Sequence, residues 1–95
     1  YYAQGFEVGC AGGVLTQKLA PSCDSLLAVD VSQTALERAK SRCARLPQVR
    51  FERMMFPQSA PDLDSADLIV LSEVAYYWDG GDLERAGTWI RTHLA

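Results

Sequence analysis

Gly5-Phe6-Glu7-Val8-Gly9-Cys10-Ala11-Gly12-Gly13 sets a short apolar run directly against a cluster of glycines. Glycine reaches backbone angles that side chains obstruct and lets a ligand approach the main chain, so the cluster suits a tight turn from a strand into a helix. Val14, Leu15 and Leu19 supply the apolar positions of that helix, and Pro21 stops it. The next apolar run, Leu26-Leu27-Ala28-Val29, ends at Asp30, 21 positions beyond Gly9. In open α/β sheets an acid ~20 residues after the glycine turn accepts hydrogen bonds from ribose hydroxyls. The glycines alone also suit a purely structural turn, and Asp30 alone also suits a helix cap. Strand, glycine turn, helix, second strand and terminal acid in one register point to a nucleoside.

Downstream, Ser32 can cap a helix whose apolar face is Ala35, Leu36, Ala39, Cys43 and Leu46, and Pro47 ends it. Val49-Arg50-Phe51-Glu52-Arg53-Met54 alternates as a strand with one buried side near a sheet edge. A loop rich in Pro, Ser and Asp leads to Leu68-Ile69-Val70-Leu71, apolar throughout, as expected of a central parallel strand covered on both faces. A last helix is predicted from Asp82, with Leu83, Ala86, Ile90 and Leu94 on one face. Short strands alternating with helices argue for an α/β open sheet. In such a sheet ligands bind beyond the carboxyl ends of the strands. That edge gathers Gly9–Gly13, Asp30, Met54–Phe56 and Ser72–Tyr77.

Ninety-five residues, 48% of them hydrophobic, allow one domain at most. The net charge of −3, with basic residues scattered, disfavours a nucleic-acid partner. No apolar run approaches the ~20 residues of a membrane span. Cys10, Cys23 and Cys43 match no zinc or CxxC spacing and read as reduced thiols of a cytoplasmic protein. No metal site is expected, and His93 reads as a solvated helix terminus.

A dinucleotide fingerprint would need glycines where this chain has Gly9, Ala11 and Val14, which disfavours a nicotinamide oxidoreductase. No phosphate-binding GxxxxGK[ST] is present. Glu7-Val8-Gly9-Cys10-Ala11-Gly12-Gly13 instead resembles the E-x-G-x-G-x-G motif of class I S-adenosylmethionine-dependent methyltransferases. Leu27-Ala28-Val29-Asp30-Val31-Ser32 resembles the ribose-binding motif that follows it, and Asp67–Tyr77 the fourth-strand motif. Together they resemble most the NodS-like branch, whose named member methylates the amino group of a chitooligosaccharide nodulation factor.

The resemblance implies a Rossmann-like open parallel sheet with flanking helices, incomplete, with about four strands in the order 3-2-1-4. It implies S-adenosylmethionine as cofactor and a small-molecule or oligosaccharide amine as methyl acceptor. Gly9, Cys10, Ala11 and Gly13 would line the methionine portion, with Glu7 shaping the loop or reaching the amino group through water. Asp30 would hold the ribose and Val31 would pack on adenine. Met55 stands where the family often has an aspartate for the adenine amino group, and the Phe56 amide would face an adenine ring nitrogen. Ser72 and Glu73 would lie beside the methyl donor, with Glu73 or Tyr76 taking the acceptor's proton.

Two departures are visible. Ala11 replaces the middle glycine, which is mild outside the left-handed backbone region, and Met55 removes one hydrogen-bond acceptor. Met54, Met55 and Phe56 could instead sandwich adenine by apolar contact. The crevice would carry acids without a nearby Lys or Arg, the sign that suits a sulfonium. Glu73 is equally readable as a solvated loop residue, and Tyr76, Tyr77 and Trp78 as packing. Family members continue beyond the fourth strand, so the chain reads as a truncated product or fragment. Its fourth strand would form an exposed apolar edge through which copies could associate. The alternative to an enzyme is a catalytically inactive methyltransferase-like binding or dimerisation module.

Overall fold

The computed structural model describes residues 1–72 and 78–95. Strand β1 (Tyr2–Val8) leads through the glycine loop into helix α1 (Val14–Leu19), which tightens into a 3-10 turn at Ala20–Ser22. Strand β2 (Cys23–Asp30), helix α2 (Gln33–Arg42), strands β3 (Val49–Arg53) and β4 (Leu68–Leu71), and helix α3 (Gly80–His93) follow. The four strands form one sheet in the order β3-β2-β1-β4, every pair parallel. The predicted Rossmann-like order 3-2-1-4 is therefore the observed one.

Register explains why the strand ends meet. Val8 pairs with Val29 on one side and Leu71 on the other, and Asp30 pairs with Arg53. The residues that follow each strand thus emerge along a single edge. Leu26–Val29 is buried throughout because β2 has strands on both sides and helices above and below. β3 at the margin is exposed at alternate positions, as its alternation predicts.

Each face has its own core. Phe6, Val8, Leu27 and Val29 pack with Phe56, Ala86 and Trp89 on the α3 side. Cys10, Ala28 and Leu36 pack on the opposite side, and Ala20, Cys23 and Leu26 form a third cluster. Complete burial of a side chain such as Phe6 or Leu27 contributes about 1.5–3 kcal/mol. Phe56 meets Phe6 and Trp89 edge-on, both with ring centroids 5.4 Å apart, tying the loop after β3 to α3.

The structure corrects three sequence expectations. β4 is only half-buried and Leu71 is 40% exposed, because among the described residues β1 is its one strand neighbour, which leaves the exposed apolar edge also expected from the sequence. On α3 the inward face is Asp82, Ala86 and Trp89, while Leu83 is exposed and Leu94 lies beyond the helix. The helix begins two residues before Asp82, capped by Asp79, whose carboxylate accepts the Asp82 amide at 2.8 Å while Asp82 accepts the Asp79 amide at 3.2 Å. His93 is not a solvated terminus. It stacks on Trp89 at 4.2 Å, and its Nδ1 donates to the Trp89 carbonyl at 2.8 Å. No helix among the described residues is long and apolar enough to cross a membrane.

Candidate functional site

The glycine loop is built from backbone. The Gly9 and Cys10 amides donate to the Val29 carbonyl at 2.9 and 3.1 Å, folding the loop over the end of β2. Gly9, Ala11 and Gly13 all have positive φ, at 80°, 48° and 85°. Gly13 could not be otherwise, since a Cβ there would stand 2.9 Å from both Cα and Cβ of Ala39 on α2. Ala11 does lie in the left-handed region, so its replacement of glycine is strained and not mild, by about 1–2 kcal/mol.

Asp30 fixes the loop. Its Oδ2 accepts the Ala11 amide and its Oδ1 accepts the Ser32 amide, each at 2.9 Å. Ser32 itself caps α2, its hydroxyl accepting the Ala35 amide at 3.1 Å, so Asp30 is not the cap. Each carboxylate oxygen retains a lone pair for a further donor. Asp30 faces a cleft of about 550 Å³. Gly9, Ala11, Val31, Met54, Met55 and Phe56 also line it, as does Ser72. Val31 and Met55 are more than half exposed and overhang the opening. Phe56 cannot complete an apolar sandwich, because its ring is buried in the aromatic core.

A second crevice, about 380 Å³, lies against the other side of the glycine loop. Glu7, Cys10 and Gly12 line it, and it shares Gly9, Ala11 and Ser72 with the first. The two spaces therefore adjoin across the tip of β1, where the Ser72 amide donates to the Val8 carbonyl at 3.0 Å. Glu7 is 1% exposed; its Oε1 accepts the Thr16 hydroxyl at 2.5 Å, and its Oε2 has no partner among the described residues. Burial raises its carboxyl above the usual range, helped by the charge of Asp30 and opposed by the Thr16 hydrogen bond. Burial, with the charges of Glu7 and Asp30, pushes the Cys10 thiol up to about 12. Gly13 is buried against α2 and lines neither space, so its part is to shape the loop.

The expected lack of basic residues near the crevice does not hold. Arg42 Nε donates to the Gly12 carbonyl and Arg53 Nε to the Val31 carbonyl, both at 3.0 Å. Both brace the rim through main-chain oxygens, and neither lines the main cleft. Glu73 and Tyr76 lie outside the described residues. Trp78 is partly buried against Phe56, with centroids 6.0 Å apart, yet also lines the cleft. Sequence reasoning missed Gln58 and Asp82, which close the far end of the cleft. A polar residue at the helical spacing of a buried face, Asp82 before Ala86 and Trp89, was the available signal.

Comparison with known proteins agrees with this fold. The chain is 39% identical over 75 residues to nodulation protein S of Bradyrhizobium diazoefficiens, covering 79% of this chain and 35% of that protein. It superposes on the N-methyltransferase NodS of Bradyrhizobium japonicum WM9, solved with S-adenosyl-L-homocysteine, with a TM-score of 0.90 at 35% identity. That match covers 99% of this chain and 48% of the other. Phosphoethanolamine N-methyltransferase 1 of Haemonchus contortus, at 17% identity, shares the fold with a TM-score of 0.90 over 97% of this chain and 20% of its own. The chain spans about a third of the length of the curated relatives it matches. The family model described as nodulation protein S (NodS) matches residues 2–91, and with these relatives it establishes that the chain belongs to the NodS family.

Proposed function

We propose that this chain forms the cofactor-binding part of an S-adenosylmethionine-dependent methyltransferase acting on an amino group of a small molecule or oligosaccharide. One observation carries the reading: the Asp30 carboxylate is clamped to the Ala11 amide at the floor of a largely apolar cleft of nucleoside size. The residues fit the group. Asp30 would accept the ribose hydroxyls, Val31 and Met55 would flank adenine, and the Phe56 amide would face its ring nitrogen. Gly9, Ala11 and Cys10 would line the methionine portion. The unpartnered Oε2 of Glu7, buried beside the second crevice, suits an ammonium or its bridging water.

The bound sulfonium would supply an activated methyl group. The protein's part is alignment, since in-line displacement depends on holding donor and acceptor in one geometry. The place of Ser72 at the junction of the two spaces supports a part for it in this alignment. An amine attacks only when neutral, and we assign removal of its proton to Glu73 or the Tyr76 hydroxyl, which follow Ser72 in sequence. The three unpaired, buried thiols support a cytoplasmic setting for this chemistry.

Calorimetry with S-adenosylhomocysteine tests the reading. The chain should bind it, and Asp30→Ala should weaken binding by ~10–100-fold, the scale of a charge-assisted hydrogen-bond pair. Equal affinity in the two proteins would remove the assignment. Methyl release onto an amino-sugar oligomer then tests turnover.

A further inference from the structure

In the loop after β3 the Ser59 amide donates to the Met55 carbonyl at 2.8 Å. Met55 and Gln58 lie three positions apart in this loop. Both line the main cleft. Gln58 Nε2 donates to Asp82 Oδ1 at 2.6 Å. Asp82 is nearly buried, and it also accepts from the Asp79 amide at 3.2 Å and from Arg85 at 3.3 Å.

This contact settles which way the Gln58 amide faces. A carboxylate only accepts hydrogen bonds, so Gln58 must turn its NH₂ toward Asp82 and present its carbonyl oxygen on the other side. That Oε1 accepts no hydrogen bond from the described residues. Met55 can accept nothing useful itself, being a thioether with at most a weak acceptor. The cleft lining therefore pairs an apolar Met55 with Gln58, whose amide sense is set by Asp82.

We propose that Gln58, oriented by Asp82, is the residue that reads the exocyclic 6-amino group of the adenine base. Asp82 is a positioning residue: it holds the amide in the sense that offers oxygen, not nitrogen, to the ligand. A 6-amino base meets an acceptor there. A 6-oxo base would set oxygen against oxygen. This rests on the cleft being an adenosine site, as proposed above, and adds the group that selects the base.

The test is calorimetric, comparing S-adenosylhomocysteine with S-inosylhomocysteine on the full chain. The unaltered chain should prefer the adenosine compound by about tenfold, the difference between a hydrogen bond made and an acceptor left facing an acceptor. Gln58→Leu, at an exposed position that should not affect folding, should bind S-adenosylhomocysteine about fivefold more weakly. It should bind the inosine compound no worse, which cuts the preference to about twofold or less. Asp82→Asn keeps an acceptor for the α3 cap but no longer dictates the amide's sense, and should give an intermediate preference. If Gln58→Leu keeps the full preference, or weakens both compounds alike, the assignment of Gln58 is overturned while the cofactor reading stands. If the unaltered chain binds neither compound, both fall together.

Discussion

The two ends of the cleft are made of different material. At the glycine loop the wall is built of main chain: three positive-φ residues, two amides on the Val29 carbonyl, and Asp30 gripping the Ala11 amide. At the far end, Met55, Gln58, Trp78 and Asp82 contribute side chains from a loop and a helix that meet through the aromatic cluster. A main-chain site tolerates little, because changing its shape means moving a strand or a helix. A side-chain site can be rebuilt one residue at a time. Met55 lies at the adaptable end.

Four substitutions would break or sharpen that contrast. The largest effect is expected at Gly13, where Gly13→Ala combines a positive φ with a Cβ 2.9 Å from Ala39. It should destabilise by about 2–4 kcal/mol in urea unfolding, whereas Met55→Ala at the exposed far end should stay within about 0.5 kcal/mol. Comparable losses would erase the distinction. Next is Glu7, whose buried carboxyl titrates above its ordinary value of 4.5. The folded chain then holds more protons than the unfolded chain above that value. Stability should decline as pH rises from about 4.5 through the raised pKa, and the decline should be absent in Glu7→Gln. The difference is expected to be on the order of 1 kcal/mol, the scale of one buried polar group short of a partner. Parallel pH curves would show that this end does not strain its acid. The smallest effect is a gain: Ala11→Gly relieves a left-handed alanine and should stabilise by about 0.5–1 kcal/mol, part of the relief being lost to the entropy of an added glycine.

The same division governs what could be read from the sequence. Gly9–Gly13, Asp30 and the Ser32 cap were legible because main-chain turns and caps demand particular residue types at fixed offsets. The order of the sheet came through resemblance to a known family, not from any local signal. The far end was hidden because its parts meet only in space. Asp82 and Gln58 are 24 positions apart, and nothing local marks them as partners. The inward face of α3 was misread because Leu83, Ala86, Trp89 and Ile90 share one broad side of the helix, and the pattern alone does not say which part of it turns inward. The choice was decided by Trp89 joining Phe6 and Phe56, and by the cap that lets Asp82 turn inward. β4 has the composition of a covered strand, but cover depends on neighbours that composition does not supply.

Cys10 has a consequence of its own on the proposed reading. A methyl sulfonium alkylates nucleophiles indiscriminately, and the loop that would cradle it contains a sulfur atom. With its thiol pushed up to about 12, roughly one Cys10 in 10⁵ is ionised at neutral pH. The residue is also only 4% exposed, packed with Ala28 and Leu36. Burial first, and the neighbouring acids second, thus keep this thiol from competing for the methyl group, and the cradle is spared modification by its own cargo.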